Sequence, residues 1–221
     1  MSAVPPGDVE QRARQSLGIS HQRIYRTVAD VLAARRAAGV LADVGCGRGD
    51  LWETLRGSFR SCIGIDAVRY DGLPSDVEFH AGDLDQGPLP LADASVDVAA
   101  AVEVIEHLDH PRAFVRELAR IVRPGGWVVV STPNQLSALS LLTLILKGRF
   151  SAFQDDAYPA HRTALLEIDL HRIMTECGLA EVAVSFTRLG RLPLSSRHYP
   201  DAVAKLAPRR FSDNLVIAGR R

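Results

Sequence analysis

Apolar positions return every three or four residues between Ser20 and Gly39: Ile24, Val28, Val31 and Leu32 fall on one side of a helix that Gly39 ends. The period then changes. Val40, Leu41, Ala42 and Val44 form a short apolar run around Asp43, and the turn Gly45-Cys46-Gly47-Arg48-Gly49-Asp50 leads into a second helix over 51–56. The alternation repeats, with strands predicted at 62–65, 77–80, 96–102 and 127–131 and a helix at 114–122 closed by Pro124-Gly125-Gly126. Two late strands are expected at 181–187 and 214–218. Continuous apolar strands separated by helices need a sheet covered on both faces, so the pattern predicts one doubly wound α/β domain over 1–221 with a mostly parallel sheet.

Three segments stand outside the alternation. Residues 1–18 are polar around Pro5-Pro6-Gly7 and read as a loose N-terminus. Residues 136–146, LSALSLLTLIL, form an apolar helix candidate with Ser137, Ser140, Thr143 and Lys147 near one stripe, too short to span a bilayer. Between the two late strands, Arg188, Arg191, Arg197, Lys205, Arg209 and Arg210 are offset by Asp201 alone, as a solvated loop or as an attraction for an anionic group on a substrate.

Composition narrows the partners. Lys plus Arg and Asp plus Glu are 26 each in 221 residues, so no global field gathers nucleic acid or an anionic membrane surface. Cys46, Cys62 and Cys177 make no C-x-x-C pair, which argues against a disulfide framework and a structural zinc site and fits a reducing cytoplasm. The N-terminus lacks a secretory apolar region and no apolar run approaches a membrane span, so a cytoplasmic protein is expected. Oligomeric state leaves no signal.

Asp43-Val44-Gly45-Cys46-Gly47-Arg48-Gly49 lies between a strand and a helix, where glycines admit a ligand close to the backbone and amides at the helix start point outward. A dinucleotide fingerprint needs glycine at position 50, where Asp50 stands, which also argues against a nicotinamide-dependent oxidoreductase. Asp66 ends the second strand, where a carboxylate accepts hydrogen bonds from a ribose diol. Asp83 follows the third and suits an exocyclic adenine amine. Each feature alone is common in structural turns; in this order they describe an adenosine pocket at the carboxyl edge of the sheet.

The stretches ADVGCGRGD, GIDAV, GDLD, VDVAAAVEVIEHL and IVRPGGWVVVSTPN, spread over residues 40–134, resemble the successive motifs of class I S-adenosylmethionine-dependent methyltransferases. The resemblance implies a Rossmann-like seven-stranded sheet whose last strand, 214–218, runs antiparallel. It implies that Gly45, Cys46, Gly47 and Gly49 wrap the methionine part of S-adenosylmethionine, that Asp66 holds the ribose and that Asp83 with Leu84 meets the adenine. Asp43, Ala67 and Glu103 complete the implied cofactor set. Segments 135–162 and 188–212 fall where substrate-covering insertions are expected.

The stretch Val102-Glu103-Val104-Ile105-Glu106-His107 ends the buried fourth strand, beside the reactive methyl group in this fold. A helical turn starting at Glu103 would place Glu106 and His107 on the same face, with Pro111 opening the next helix. Three readings stay open: the cluster braces its turn; His107 or a nearby histidine takes a proton from an acceptor hydroxyl; or two carboxylates and an imidazole, joined by His161, hold a divalent metal. EVIEH, TPN and a later histidine are similar to the metal-dependent small-RNA 2′-O-methyltransferases and to ubiquinone-pathway O-methyltransferases, which implies Glu103, Glu106, His107 and His161 as ligands. The expected reaction is O-methylation of a small-molecule acceptor. The alternatives are a metal-assisted RNA 2′-O-methyltransferase, against which the balanced charge counts, and a non-catalytic member that binds the cofactor.

Overall fold

The computed structural model describes residues 18–221; the loose N-terminus expected over 1–18 lies, Gly18 apart, outside the described residues. Helix α1 (Gln22–Ala34) turns Ile24, Tyr25, Val28, Val31 and Leu32 into the core, as their spacing requires. Strand β1 (Val40–Val44) leads through the glycine turn to α2 (Asp50–Leu55), and β2 (Ser61–Asp66), β3 (Val77–Ala81) and β4 (Val96–Val102) follow. Helix α3 (Pro111–Ile121) begins on Pro111, whose missing N–H is harmless in a first turn.

Sequence places that helix at 114–122 and the next strand at 127–131. In the structure β5 (Val122–Pro133) starts directly after α3, because Val122 pairs with Val96 and draws Pro124-Gly125-Gly126 into the strand. The remaining elements are α4 (Ala138–Lys147), α5 (Glu167–Glu176), β6 (Ala180–Phe186), α6 (Asp201–Leu206) and β7 (Asn214–Arg220). Helices α5 and α6 were not foreseen from the pattern.

The seven strands run in the order β3-β2-β1-β4-β5-β7-β6, with β7 antiparallel to both neighbours and the other pairings parallel. This is the expected Rossmann-like sheet. Successive β4 residues serve opposite cores: Val98, Ala100 and Val102 pack with α1 and α2, whereas Ala99 and Ala101 pack with α3 and α5. Both faces are covered, which is why the strand reads as an unbroken apolar run. Fully buried Leu41, Leu51, Leu118 and Leu170 anchor the two layers, each worth about 1.5–3 kcal/mol of transfer free energy.

The chain moves outward from β1 to β2 and β3, then returns to β4 on the other side of β1. The carboxyl ends of β1 and β4 therefore diverge into a crevice, the usual ligand position in such sheets. Among the described residues no helix is long and apolar enough to cross a membrane.

Candidate active site

A cavity of about 740 Å³ opens at that switch point. Asp43 and Gly45 reach it from β1, Asp66 and Ala67 from β2, Asp83, Leu84 and Asp85 from the loop after β3, and Val102 to Leu108, Ile105 excepted, from the end of β4. Residues 156–161 close one side and residues 18–21 with Ile24 and Tyr25 another.

The glycine turn is built largely from within. Gly47 has φ +51°, and a Cβ there would lie 2.2 Å from the Gly18 carbonyl oxygen; a Cβ on Gly45 would lie 2.3 Å from Val104 Cγ2. Only glycine fits either position. Gly45 lines the cavity. Cys46 is buried with its sulfur against Gly64, and Gly49 faces Pro74, so neither is part of the cavity wall, and Gly47 is likewise absent from it.

Asp66 Oδ2 accepts the Gly47 amide at 2.9 Å and Oδ1 accepts the Ala67 amide at 2.7 Å, which couples the end of β2 to the turn after β1. Burial raises the Asp66 carboxyl above its usual range, and these amides oppose the rise. Asp83 Oδ1 accepts the Asp85 amide at 2.9 Å. Asp43 is buried, and its Oδ2 has no hydrogen-bond partner among the described residues. Burial, with the charges of Asp66 and Asp50, pushes its carboxyl up to about 7.

The stretch after β4 differs from the expected helical turn. Glu103 takes a left-handed φ of +54°, and a 3-10 turn begins later, at Ile105–His107. The reason is a local clamp: the Glu103 amide donates to Ser131 Oγ at 3.0 Å, that hydroxyl donates to Glu103 Oε1 at 2.7 Å, and Asn214 Nδ2 donates to Oε2 at 2.6 Å. Glu103 is thereby tied to β5 and β7. Burial and the neighbouring Glu106 hold its carboxyl well above the ordinary value.

Glu106 is 1% exposed, accepts from Thr132 Oγ1 at 3.2 Å, and is pushed by burial up to about 8. Its carbonyl accepts the amides of Arg162 and Thr163, which brings the 158–163 loop over the turn. His107 Nδ1 donates to the Ala160 carbonyl at 2.9 Å, and His161 Nδ1 donates to the Ala152 carbonyl at 2.6 Å. A carbonyl can only accept, so each neutral ring carries its hydrogen on Nδ1 and a lone pair on Nε2.

The two rings meet edge-on with centroids 4.9 Å apart, and burial lowers the His161 pKa. One potential ligand atom from each of Glu106, His107 and His161 falls within 4.8 Å of the others. Glu103 stands outside that group. Asp85 completes the frame by accepting the amides of Asp109 and His110.

Sequence reading therefore brings together Asp43, Gly45, Asp66, Ala67, Asp83, Leu84, Glu103, Glu106, His107 and His161 around one cavity. It misses Ser20, His21, Tyr25, Tyr70, Asp85, Tyr158 and Asn214. Of the 135–162 segment, residues 156–161 line the cavity while the apolar α4 does not, and none of 188–212 does. The α4 face is also reversed. Ser140 is fully buried, whereas Ile145 and Leu146 are 79% and 68% exposed.

The lining carries seven carboxylates, those of Asp43, Asp66, Asp83, Asp85, Glu103, Glu106 and Asp156, and among the described residues no Lys or Arg. A lining rich in carboxyl groups and without a basic group among the described residues offers a polyanion no cationic partner.

The profile of a methyltransferase domain family matches residues 16–184. A probable S-adenosylmethionine-dependent methyltransferase of Mycolicibacterium smegmatis is 29% identical over 87% of this chain and 71% of its own length. A ubiquinone biosynthesis O-methyltransferase of Bordetella avium is 34% identical over 47% of this chain, which spans less than half of that relative, 46%. The solved S-adenosylmethionine-dependent methyltransferase from Archaeoglobus fulgidus superposes over 94% of this chain and 97% of its own with a TM-score of 0.66 at 17% identity, the same fold. Six parallel strands and an antiparallel seventh, a glycine turn joined to a strand-terminal aspartate, and these matches place the chain in the S-adenosylmethionine-dependent methyltransferase family.

Proposed function

We propose that the chain methylates an oxygen of a small, uncharged or cationic acceptor, and that Glu106, His107 and His161 hold a divalent cation beside the reacting centre. The observation that carries the reading is the donor set itself. Two imidazoles whose Nδ1 hydrogens are committed to backbone carbonyls converge with a buried carboxylate, an arrangement common to histidine metal ligands. One oxygen and two nitrogen donors suit ions of intermediate softness.

The cavity supports S-adenosylmethionine as the donor. Asp43 presents an unpartnered buried oxygen to a cationic group, Asp66 keeps acceptor capacity for a ribose hydroxyl beyond the amides of Gly47, Ala67 and Val68, and Asp83 and Leu84 border the far end. S-adenosylmethionine supplies a methyl group already activated by its sulfonium. The protein's own work is then to align and desolvate the acceptor in line with that methyl. Glu103, clamped by Ser131 and Asn214, fixes the wall beneath the acceptor, and Asp85 and Arg162, which pairs with Asp109, hold the turn that carries Glu106 and His107.

A divalent cation at Glu106, His107 and His161 would lower the pKa of an acceptor hydroxyl. Oxygen is the acceptor atom favoured by this donor set and by the kinship to an O-methyltransferase. A small molecule is favoured over RNA by a carboxyl-rich lining with no Lys or Arg among the described residues. A second reading draws on the lowered pKa of His161, which keeps its ring neutral and able to take the acceptor's proton without an ion. Metal analysis of untagged protein separates the two. Near-stoichiometric divalent metal, lost in Glu106→Gln, is the expected result, whereas metal-free protein with full turnover in chelator favours the histidine base.

A further inference from the structure

A second cavity, of about 650 Å³, opens at the opposite edge of the sheet. The end of α1 and the turn after it, the starts of β4, β5 and β6 and the end of β7 enclose it. β4 runs from Asp97 on this cavity to Val102 on the first, so roughly 15–20 Å of strand separates the two. Where the first cavity is rich in carboxyl groups, this one is basic. Among the described residues its lining carries four arginines, Arg35, Arg36, Arg123 and Arg220, against the carboxylates of Asp97 and Glu181.

Both acids are already committed. Asp97 accepts the Val40 amide through Oδ2 at 2.6 Å and pairs with Arg123, and Glu181 Oε1 accepts from Arg220 Nη1 at 2.9 Å. Those pairings leave Arg35 and Arg36 without a carboxylate among the described residues. Arg35 Nη1 donates to the Val31 carbonyl at 2.9 Å, whereas its Nε is buried with no hydrogen-bond partner among the described residues. Its guanidinium carbon lies 4.8 Å from the ring centroid of Trp127, which Arg220 approaches to 5.8 Å. Stacking on an aromatic ring fixes the plane of a guanidinium, and partial burial costs it solvation until an anion meets it. That burial lowers the Arg35 pKa, with Glu181 opposing the change.

The backbone is strained at the same place. Arg36 has φ +51° and Glu181 φ +49°, in the left-handed region where glycine is the usual residue. At Arg36 the cause is the end of α1. Its amide donates to the Ala33 carbonyl and the Ala37 amide to the Leu32 carbonyl, each at 3.0 Å, a closure in which glycine ordinarily stands. Arginine in that position sets an exposed guanidinium on the cavity wall. Strain of this kind gathers at ligand sites.

We infer that this cavity binds the phosphate group of a small soluble phosphate monoester, with Arg35 and Arg36 as its charge partners. Two unmatched guanidiniums balance a phosphate dianion, and Arg35, planar and stacked, keeps Nη hydrogens in the forked arrangement that phosphate oxygens take. The site is separate from the cofactor cavity and holds whatever acceptor is methylated.

Trp127 reports on the site. The chain has two tryptophans, and the other, Trp52, donates its indole N–H to Asp76 and lines neither cavity. The isotope-labelled full chain is titrated with glycerol 3-phosphate at constant ionic strength and about pH 8, where the ester is a dianion, and the two indole N–H signals are followed by NMR. Glycerol and sodium chloride serve as controls. A saturable shift of the Trp127 signal alone, half complete at about 1 mM, is expected. Arg36→Asn, whose side chain tolerates left-handed backbone, and Arg35→Gln should each weaken binding about tenfold, the loss of a hydrogen bond to a charged group. Absence of a saturable shift, or an equal response to chloride, overturns the site, as does unchanged affinity in both variants while the Trp52 signal shows them folded. Vesicles of phosphatidylcholine with phosphatidic acid distinguish the source of the phosphate: wild-type chain that sediments with them and ignores glycerol 3-phosphate overturns the soluble ligand in favour of a lipid headgroup.

Discussion

The Asp66 carboxylate holds the Gly47 amide at 2.9 Å, so the acid that ends β2 and the turn that follows β1 form one unit. Asp66→Ala removes the acceptor of the Gly47, Ala67 and Val68 amides and leaves them without this partner. A stability loss of about 1–3 kcal/mol per unsatisfied buried group is expected. Affinity for S-adenosylhomocysteine should fall more than tenfold in the same variant, measured by calorimetry at a temperature where it remains folded. Unchanged affinity would remove Asp66 from the cofactor site.

Gly47→Ala places a methyl group 2.2 Å from the Gly18 carbonyl oxygen at a left-handed φ of +51°. Strain of about 1–3 kcal/mol and displacement of the segment before α1 are expected. Chemical denaturation reads the first, and faster amide exchange over 18–25 reads the second.

Asp43 makes stability and ligand affinity depend on pH in opposite directions. Its folded value near 7 lies above the ordinary 3.8, so the folded chain holds a proton that the unfolded chain releases. Its contribution is full below about pH 4 and is lost as pH rises through 7, on the order of 4 kcal/mol. Asp43→Asn should flatten that slope. Binding of an ammonium-bearing ligand needs the ionised carboxylate, so S-adenosylhomocysteine affinity should fall below pH 7 in the wild type and not in the variant.

Helix α4 offers a test of the covering segment. Ile145 and Leu146 are exposed and absent from the cavity wall, so Ile145→Ser with Leu146→Ser should change stability by no more than about 0.5 kcal/mol. Cofactor affinity should stay unchanged in the same titration.

What could be read from sequence follows from range. β1, the glycine turn, β4 and Asp66 were legible because an apolar run or a glycine acts within a few residues of itself. The clamp on Glu103 was not: Ser131 lies 28 positions away and Asn214 lies 111 away, and nothing near Glu103 announces either. Without that clamp an ordinary helical turn from Glu103 was the natural expectation. The pairing of Glu106 and His107 with His161 depended on kinship rather than spacing, since a loop carried by the Glu106 carbonyl brings His161 over. For α4, periodicity found the helix but not its covered side, because Ser140 is buried where its Oγ accepts the Ser151 amide at 3.2 Å. Tyr25 lies outside the periodic set Ile24, Val28, Val31 and Leu32, and its place in the core and in the cavity wall shows only in the structure.

The central claim is the ion at Glu106, His107 and His161. The most direct measurement is diffraction from crystals grown with S-adenosylhomocysteine and manganese, collected at a wavelength where manganese scatters anomalously. The account predicts one strong anomalous peak bound by Glu106 and by the Nε2 atoms of His107 and His161, with Nδ1 still on Ala160 and Ala152. No peak there, with Glu106 still hydrogen-bonded to Thr132 and turnover unaffected by chelator, would contradict it.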